Sequence, residues 1–536
     1  FLSAAFFHLS NLALGVADLI DSEMVPEKYN LYSGIEGAFS ETVVTWKRWC
    51  DWCSRHRINR LSNWPYSAGT NWWDLALDPA TRGMSPFPDS EIVRAAKVRE
   101  ELFRYAASRG VKPFLMNYLT GSATSAIARN HPELVGVLDD DVHHHGAMSF
   151  CHASNRLKNV FVAQIKAILR TYPSLAGIHI RWWGESFPCQ CDHCRGRQGE
   201  LQRRLTLQVI EAALQERPDI EILLSGRLFL HGSADFWKRL PKNVMLQTKW
   251  GKDWEPTADP GLDTDDIVAT AHPFLISQNL PCEEVSPFGC VQYTPLAKGI
   301  AAYAAQADQV PNLQGFSIVT AEKDFGWITE TNYLAAAKLN WAGQKIDVAE
   351  LITGYLKLTY GDAGEPVYQA LDRTQKVWEE FSVDFCGIAL YKDYYRMAWM
   401  FGLDSLMNAD LLKLEQSSGR IEKYARMLSE AVFLLERSRR DVRPLALLRF
   451  DDLIQQTCIF AEFFTSRRLL VKAFLHRWNG DRARMRRTLR LACQADQRLV
   501  DLALSKPNLA DDFEMEGMTE PGNYVRDTPF MRQGAW

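Results

Sequence analysis

The fold of this chain is indicated by the stretch Gly177-Ile178-His179-Ile180-Arg181-Trp182-Trp183-Gly184-Glu185-Ser186. Residues 177–181 alternate in the manner of a short strand, an amphipathic helical pattern precedes them at 160–169, and a loop rich in Pro, Cys and Gly follows. This order predicts a βα unit. In a (β/α)8 barrel, catalytic residues lie at the carboxyl ends of the strands. We therefore interpret Glu185 as a catalytic carboxylate rather than a charged residue that only caps a surface strand.

Seven further strand-like runs alternate with amphipathic helical patterns, and the helices include residues 90–109, 201–216 and 296–306. Such alternation predicts a parallel sheet with one helix after each strand. We expect an α/β protein whose residues 1–343 form a catalytic (β/α)8 TIM barrel. Its remaining seven strands are expected at Leu12–Val16, Arg60–Asn63, Pro113–Asn117, Glu221–Leu224, Val244–Thr248, Phe274–Gln278 and Gly315–Val319.

The pattern changes after about residue 347, where long helical periods replace strand-like alternation. We expect an all-α carboxy-terminal domain at residues 344–536, and we assign any homo-oligomer contact to this domain. One helical stripe in it comprises Ile421, Tyr424, Leu428, Val432 and Leu435. Its arginine-rich faces are expected to be solvated rather than to bind nucleic acid; they contain Arg482, Arg484, Arg486 and Arg487.

Charge and hydropathy exclude several classes of partner. The 536 residues include 61 Lys and Arg against 65 Asp and Glu, for a formal charge of -4 and a pI near 6.4. A chain without a basic field does not attract nucleic acid or an anionic membrane surface. No apolar run reaches the roughly 18–20 residues of a membrane span. We expect a soluble protein, with a slight preference for the cytoplasm. Residues 1–14 lack an initiating Met and a basic n-region, which suggests the interior of a longer precursor.

Two groups of closely spaced cysteines occur among the eleven in the chain. Cys50 and Cys53 lie in a helical pattern, where such a pair is expected to pack in the core. Cys189, Cys191 and Cys194, with His193 among them, can wrap a structural zinc ion, because three thiols and an imidazole form a tetrahedral ligand set. Two other interpretations stay open: a disulfide to Cys151, or free thiols that pack the loop. We expect catalysis itself to need no cofactor.

Polar groups follow the other predicted strands of the second half of the barrel. A glycosidase needs one protonated carboxyl group beside the leaving oxygen and a second carboxylate as base or nucleophile, and these strand ends provide several candidates. The stretches are Ser225-Gly226-Arg227, Lys249-Trp250-Gly251-Lys252-Asp253-Trp254, Pro281-Cys282-Glu283-Glu284 and Thr320-Ala321-Glu322-Lys323-Asp324.

With these motifs, the chain resembles the family 67 α-glucuronidases over roughly residues 12–360. The resemblance is carried, in the same order, by 178–185, Ser225-Gly226-Arg227-Leu228-Phe229, residues 243–249 leading to Asp253, and Cys282-Glu283-Glu284. The stretch 332–341 is similar to the way in which that family leaves its eighth strand for a helical domain. The Cys-x-Cys-x-x-Cys motif departs from the family and resembles barrel proteins related to hexosaminidases.

The resemblance implies an exo-acting, inverting hydrolase that removes a terminal uronic acid from a poly- or oligosaccharide. Glu185 would be the general acid, and Asp253 and Glu283 would orient and deprotonate water, with the choice between Glu283 and Glu284 open. Arg181 and Arg227 would bind the uronate carboxylate. The full set of expected substrate-binding residues is Arg181, Trp182, Trp183, Arg227, Lys249, Trp250, Glu284 and Glu322.

Two other functions remain open. A substrate-assisted β-N-acetylhexosaminidase would use an Asp-Glu pair after the fourth strand, where this chain has Gly184 before Glu185. A non-catalytic carbohydrate-binding barrel would stack sugars on tryptophans, including Trp72 and Trp73. The run 143–145, three histidines, is expected to be a solvated loop tip rather than a metal site.

Overall fold

Eight parallel strands form a closed barrel in sequence order, each hydrogen-bonded to the next and the eighth to the first. The strands are β1 (Tyr32–Glu36), β2 (Arg60–Asn63), β3 (Lys112–Tyr118), β4 (Gly177–Trp182), β5 (Glu221–Gly226), β6 (Val244–Lys249), β7 (Phe274–Gln278) and β8 (Leu313–Val319). This computed structural model describes residues 32–36, 43–63, 77–78, 81, 89–118, 131–137, 150–182, 189–226, 234–249, 272–278, 313–319, 330–342, 346–386 and 411–504.

The first strand differs from the prediction. The barrel is closed by Tyr32–Glu36, which pairs with β2 and β8, and not by Leu12–Val16, which lies outside the described residues. The sequence of β1, Tyr-Ser-Gly-Ile-Glu, has a single large aliphatic residue. A search for apolar runs therefore passes over it, although backbone pairing on both sides makes it a full member of the sheet. The other seven strands agree with their predicted positions to within two residues at each end.

Helices follow six of the eight strands in the described part of the chain. They are α1 (Val43–Arg55), α2 (Asp89–Ser108), α3 (Asn155–Thr171), α4 (Gln198–Glu216), α5 (Ala234–Arg239) and α6 (Glu330–Ala342). The Ser154 hydroxyl caps α3 by accepting a hydrogen bond from the Leu157 amide, which satisfies one of the free N–H groups of the first turn. The predicted helix at 296–306 lies outside the described residues.

The two faces of the sheet have different neighbours. Ile178 and Ile180 of β4 are fully buried in the large core shared with the helices. The alternate positions face the barrel interior, where Phe114, Leu223 and Leu275 form a separate apolar cluster. Gly177 belongs to this interior set, because a Cβ atom there would lie 2.2 Å from the Phe114 ring. Residue 177 therefore has to be glycine for that ring to fill the barrel.

An ion-pair group lies at the amino ends of the strands. The guanidinium of Arg60 at the start of β2 lies 2.8 Å from the carboxylate of Glu221 at the start of β5, and Lys112 of β3 also contacts that carboxylate. Arg60 and Glu221 belong to strands separated by two others, so their ion pair bridges the sheet at this end. This end of a barrel contributes stability rather than chemistry.

After the barrel, the described residues are helical: α7 (Val348–Tyr360), α8 (Gly364–Cys386), α9 (Leu411–Ser438), α10 (Leu447–Trp478) and α11 (Arg482–Leu504), with short 3-10 turns at 439–441 and 444–446. The stripe predicted on α9 is confirmed, since Ile421, Tyr424, Leu428 and Leu435 are fully buried and Val432 packs against them. On α11, Arg482, Arg484, Arg486 and Arg487 are exposed, as expected. None of the helices in the described ranges is long and apolar enough to cross a membrane.

Candidate functional site

A polar layer lies in the barrel interior, one step nearer the carboxyl ends of the strands than the apolar cluster. Leu223 of that cluster is followed two residues later by Ser225, and Met245 by Gln247, so each polar residue occupies the next interior position on its strand. His179, Ser225, Gln247 and Ser317 are buried. Polar groups buried in this way need hydrogen-bond partners, and two hydrogen bonds within this layer supply part of them.

Two hydrogen bonds link neighbouring or nearby strands in this layer. Nε2 of His179 lies 2.7 Å from Oγ of Ser225, and Nε2 of Gln247 donates to Oγ of Ser317 at 2.8 Å. Both bonds are fully buried, and a hydrogen bond is electrostatically stronger there than in water. The layer forms a fixed polar floor beneath the strand ends from which the predicted catalytic loops start.

No role was predicted from the sequence for His179 or Ser225, although they lie in the motifs at residues 177–186 and 225–227. The signal was present in the alternation Ile178-His179-Ile180, because residues that alternate with buried isoleucines face the barrel interior. An interior histidine beside a strand end is a candidate positioning group for the site above it.

Most of the predicted site residues lie outside the described part of the chain. The three catalytic candidates Glu185, Asp253 and Glu283 are outside it, as are the binding candidates Trp183, Arg227, Trp250, Glu284 and Glu322. The backbones of Arg181, Trp182 and Lys249 lie in strands, but their side chains are not described. Trp72, Trp73 and 143–145 also fall outside. Their roles remain predictions.

The structure nevertheless fixes the backbone positions from which these loops leave. Trp182 at the end of β4 is in register with Gly226 at the end of β5, and Lys249 at the end of β6 is in register with Ser277 of β7. The segments that carry Glu185, Arg227, Asp253 and Glu283 therefore begin at four adjacent strand ends on one rim of the barrel.

Four thiols meet beside this rim. The sulfur atoms of Cys151, Cys189, Cys191 and Cys194 all lie within 4.8 Å of one another, and we call this group the thiol cluster. The Sγ atom of Cys151 is 3.9 Å from that of Cys191 and 3.8 Å from that of Cys194. These distances are far longer than the roughly 2.05 Å of a disulfide bond, and all four cysteines are free.

The thiol cluster corrects one predicted ligand. The fourth group beside Cys189, Cys191 and Cys194 is Cys151, whereas the His193 side chain is exposed and is not part of the group. The sequence suggested His193 because it is adjacent in the chain. Cys151 is contributed by the loop after β3. Because β3 and β4 are neighbours in the sheet, the loops that follow them lie close together, and this proximity could have indicated Cys151 as the fourth member.

The thiols of the cluster differ in acidity. Burial raises the pKa of the Cys151 thiol and, more strongly, that of the Cys194 thiol. Burial also acts on Cys191, but hydrogen bonds with Cys189 and Cys194 and with the backbone outweigh it, so the pKa of Cys191 lies below its usual value. Such differences in pKa are expected where several thiols lie close together and interact with one another.

The chain matches no family model and no curated protein. Its fold is similar to solved glycoside hydrolases. A GH138 enzyme targeting pectin rhamnogalacturonan II has 12% sequence identity and a TM-score of 0.64, covering 95% of this chain and 66% of that one. A family 89 glycoside hydrolase from Clostridium perfringens, in complex with PUGNAc, has 10% identity and a TM-score of 0.60, covering 94% and 58%.

The same family 89 enzyme with 2-acetamido-1,2-dideoxynojirmycin gives a TM-score of 0.58 at 10% identity, covering 94% of this chain and 57% of that one. The chain thus spans less than two thirds of the length of these structures. At such low identity, the likeness shows a shared fold, and this fold is one on which glycoside hydrolases are built.

Proposed function

We propose that this chain is a glycoside hydrolase that removes a terminal uronic acid from an oligo- or polysaccharide with inversion. The observation that carries the proposal is the order of the barrel, in which β4, β5, β6 and β7 are consecutive hydrogen-bonded neighbours. Loops bearing an acid, a cation and two further carboxylates leave these four strands at the same rim, where barrel enzymes bind their substrates.

The catalytic roles follow from what hydrolysis of an acetal requires. Glu185, after β4, would donate a proton to the leaving oxygen, and Asp253 and Glu283, after β6 and β7, would orient and deprotonate the attacking water. An inverting enzyme separates acid and base by roughly 6.5–9.5 Å to admit that water. Adjacent strands are about 4.8 Å apart, so the ends of β4 and β6, which are two strands apart, lie at about this distance, whereas β7 is three strands from β4.

A uronic acid is the substrate class that fits the cations of this rim. Arg181 and Lys249 lie near the carboxyl ends of β4 and β6, and Arg227 directly follows β5 in the sequence. A sugar carboxylate would therefore be bound by Arg181, Arg227 and Lys249. Arginine can form a bidentate pair of hydrogen bonds with such a carboxylate. The similar GH138 enzyme targets pectin rhamnogalacturonan II.

The tryptophans and the remaining carboxylates complete the proposed pocket. Trp182, Trp183 and Trp250 would stack on sugar rings, and Glu284 and Glu322 would accept hydrogen bonds from sugar hydroxyls. We also propose a complete (β/α)8 barrel in residues 1–343 and a helical domain in 344–536. The closed eight-stranded sheet and the helical character of the described residues from 330 onward support this division.

A second candidate substrate is a 2-acetamido sugar. It is favoured by the similarity to the family 89 enzyme that binds 2-acetamido-1,2-dideoxynojirmycin. Gly184 before Glu185 argues against the substrate-assisted mechanism that pairs an aspartate with the acid. A panel of aryl α-uronides and aryl 2-acetamido-glycosides distinguishes the two candidates. Cleavage confined to the acetamido sugars would replace the uronidase proposal.

The decisive variant is Glu185→Gln, tested on the preferred sugar with natural and activated leaving groups. A general acid contributes about 10²–10⁴-fold, so cleavage of a natural glycoside should fall by that factor while binding survives. An aryl glycoside with an acidic phenol should lose much less, because its leaving group needs little protonation.

Glu211→Gln is the matched control, because Glu211 is exposed on α4, and it should leave both rates unchanged. Equal losses on both substrates in Glu185→Gln would contradict the acid role, and unchanged rates would support a carbohydrate-binding barrel without catalysis. Proton NMR of the first product anomer tests inversion, and retention of the anomeric configuration would refute that part of the proposal.

A further inference from the structure

We propose that one zinc ion is bound by Cys151, Cys189, Cys191 and Cys194. This ion would have a structural role, because it would cross-link the loops that follow β3 and β4. Nothing in the proposed hydrolysis needs this metal. The inference rests on the positions of four side chains and on the fold around them.

The sulfur geometry is that of a tetrahedral thiolate site. Zinc–sulfur bonds are about 2.3 Å long, so the edge of a regular ZnS4 tetrahedron is about 3.8 Å. The distances from Sγ of Cys151 to Sγ of Cys194 and Cys191, 3.8 and 3.9 Å, match that edge, and no sulfur pair of the four exceeds 4.8 Å. Four soft thiolate ligands in this arrangement select zinc over magnesium or calcium, which prefer oxygen ligands.

The four thiols fill the ligand set completely. A site with four protein ligands keeps no open coordination position and is structural rather than catalytic. In the described part of the chain, this is the only group of three or more metal-ligating side chains whose donor atoms converge in this way. Cys189 and Cys194 are each 1% exposed, whereas Cys151 and Cys191 are partly exposed, so two of the four ligands are sheltered from bulk water.

The surrounding backbone holds the ligands in place. The Val137 amide donates to Sγ of Cys189 at 3.3 Å, and the Gln190 amide donates to the Val137 carbonyl at 2.7 Å. Val135 and Phe150 form an antiparallel bridge that brings Cys151 beside this segment. Hydrogen bonds to ligand atoms orient them and tune the metal, and sites that lack them bind more weakly.

The site connects two loops at the catalytic rim. Cys151 belongs to the connection between β3 and α3, and the other three ligands belong to the connection between β4 and α4. Residues 183–188, which contain Glu185, lie between the last residue of β4 and the first of these ligands. If the proposed function holds, β4 fixes one end of the segment that carries the general acid and the ion fixes the other, at Cys189. A short loop with both ends fixed loses little entropy on ordering.

The experiment measures the metal content of the whole chain, purified without chelators, by mass spectrometry of dissolved metals. We expect about one zinc per chain, as a single tetrahedral site requires. A mercurial reagent should release that zinc in step with modification of four thiols, which a coloured zinc indicator records. Replacement by cobalt should give the visible absorption and thiolate charge-transfer bands of a tetrahedral thiolate site.

Cys151→Ser and Cys194→Ser should lose the zinc, whereas His193→Ala and Cys493→Ser should keep it. Cys493 is the matched cysteine control, because it is exposed on α11. Zinc retained in Cys151→Ser but lost in His193→Ala would overturn the ligand assignment. Iron at the same stoichiometry would overturn the choice of metal.

The measurements on the unmutated chain keep the proposal testable even if the variants fail to fold. Wild-type protein without a transition metal, with four free thiols or a disulfide among these cysteines, would refute the site. Metal content does not depend on activity, so a zinc-loaded chain that hydrolyses no glycoside would refute the proposed function and leave this inference standing.

Discussion

Cys50 and Cys53 have the same spacing in sequence as Cys191 and Cys194 of the thiol cluster, yet the surroundings of the two pairs differ completely. Both lie on α1, are fully buried and pack in the main core. Their neighbours Trp49 and Trp52 make edge contacts with Tyr333 of α6, at ring separations of 5.3 and 6.0 Å. The cluster cysteines come instead from two loops and face one another.

The difference shows that spacing alone does not define a metal site. On a helix, residues three apart lie on one face, so their side chains contact the same neighbouring part of the protein. The residues that pack against this face of α1 belong to the apolar core, and burial there raises the pKa of both the Cys50 and Cys53 thiols. In a loop, successive cysteines can turn inward around a point, and a fourth ligand can arrive from another loop.

The largest contrast is expected on metal removal. Amide hydrogen exchange of residues 131–137, 150–154 and 189–197 should accelerate by about a hundredfold or more after zinc is removed, equivalent to roughly 2.7 kcal/mol of local stability. Amides of α1 should be unaffected. Mass spectrometry of peptic fragments provides the measurement, with re-addition of zinc as the control. Equal exchange in loaded and zinc-free protein would mean that the ion does not hold these loops.

Thiol alkylation at pH 8 should separate the cysteines next. Among the cysteines whose side chains the structure describes, exposed Cys493 should react first. Burial, followed by the charges of Glu436 and Glu462, raises the pKa of Cys458 to about 11, so its thiolate fraction is about a hundredfold below that of an ordinary thiol. Its rate should rise about tenfold per pH unit between roughly pH 8 and 10.

The same experiment distinguishes the two cysteine groups. The thiol cluster should become reactive only after chelation, whereas Cys50 and Cys53 should stay protected until the barrel unfolds. Peptide mapping of the labelled sites follows each thiol separately. Simultaneous labelling of the two groups in the zinc-loaded protein would remove the distinction between metal-bound and packed cysteines.

The parts of the fold that the sequence predicted well are those with strong patterns. Seven strands and the helices around Val43–Arg55, Asp89–Ser108, Asn155–Thr171 and Gln198–Glu216 carry long apolar periods, and these survive in the structure. Tyr32–Glu36 was missed because its place in the barrel depends on backbone pairing with two neighbours rather than on its own side chains.

The candidate site was predictable where it depends on chain order and not where it depends on distant contacts. Glu185 follows the end of β4 in the sequence, so the strand from which its segment leaves was predictable from the strand assignment. Cys151 is separated from Cys189 by 38 positions in the sequence. No local spacing rule joins them, and only the parallel arrangement of β3 and β4 brings their loops together.

A smaller effect is expected from Cys53→Ser. The substitution places a hydroxyl group in an apolar environment, which costs about 1–3 kcal/mol when the hydroxyl finds no partner. Chemical denaturation followed by tryptophan fluorescence should show this loss, while zinc content stays at its wild-type value. Cys493→Ser, on the exposed face of α11, should change stability by less than about 0.5 kcal/mol. Loss of zinc from Cys53→Ser would show that the two cysteine groups are not independent.

The smallest effect is expected from Gly136→Ala, which perturbs the thiol cluster without removing a ligand. A Cβ atom at residue 136 would lie 2.9 Å from Cβ and 3.2 Å from Sγ of Cys189, and 3.1 Å from the Phe150 carbonyl oxygen. Cys189 or the backbone must shift by a few tenths of an ångström. We expect the variant to keep zinc but to bind it about tenfold more weakly, the lower end of the loss seen when groups around metal ligands are changed.

Competition with a chelator of known affinity measures this change. Gly419→Ala is the matched control, because no atom lies within 4 Å of the added Cβ position and the residue is in α9. That substitution should stabilise the helix by about 0.5–1 kcal/mol, since alanine loses less backbone entropy than glycine on folding, and should leave zinc affinity unchanged. A Gly136→Ala protein that holds zinc as tightly as the wild type would show that Cys189 is free to move, and would place the rigidity of the cluster in its other three ligands.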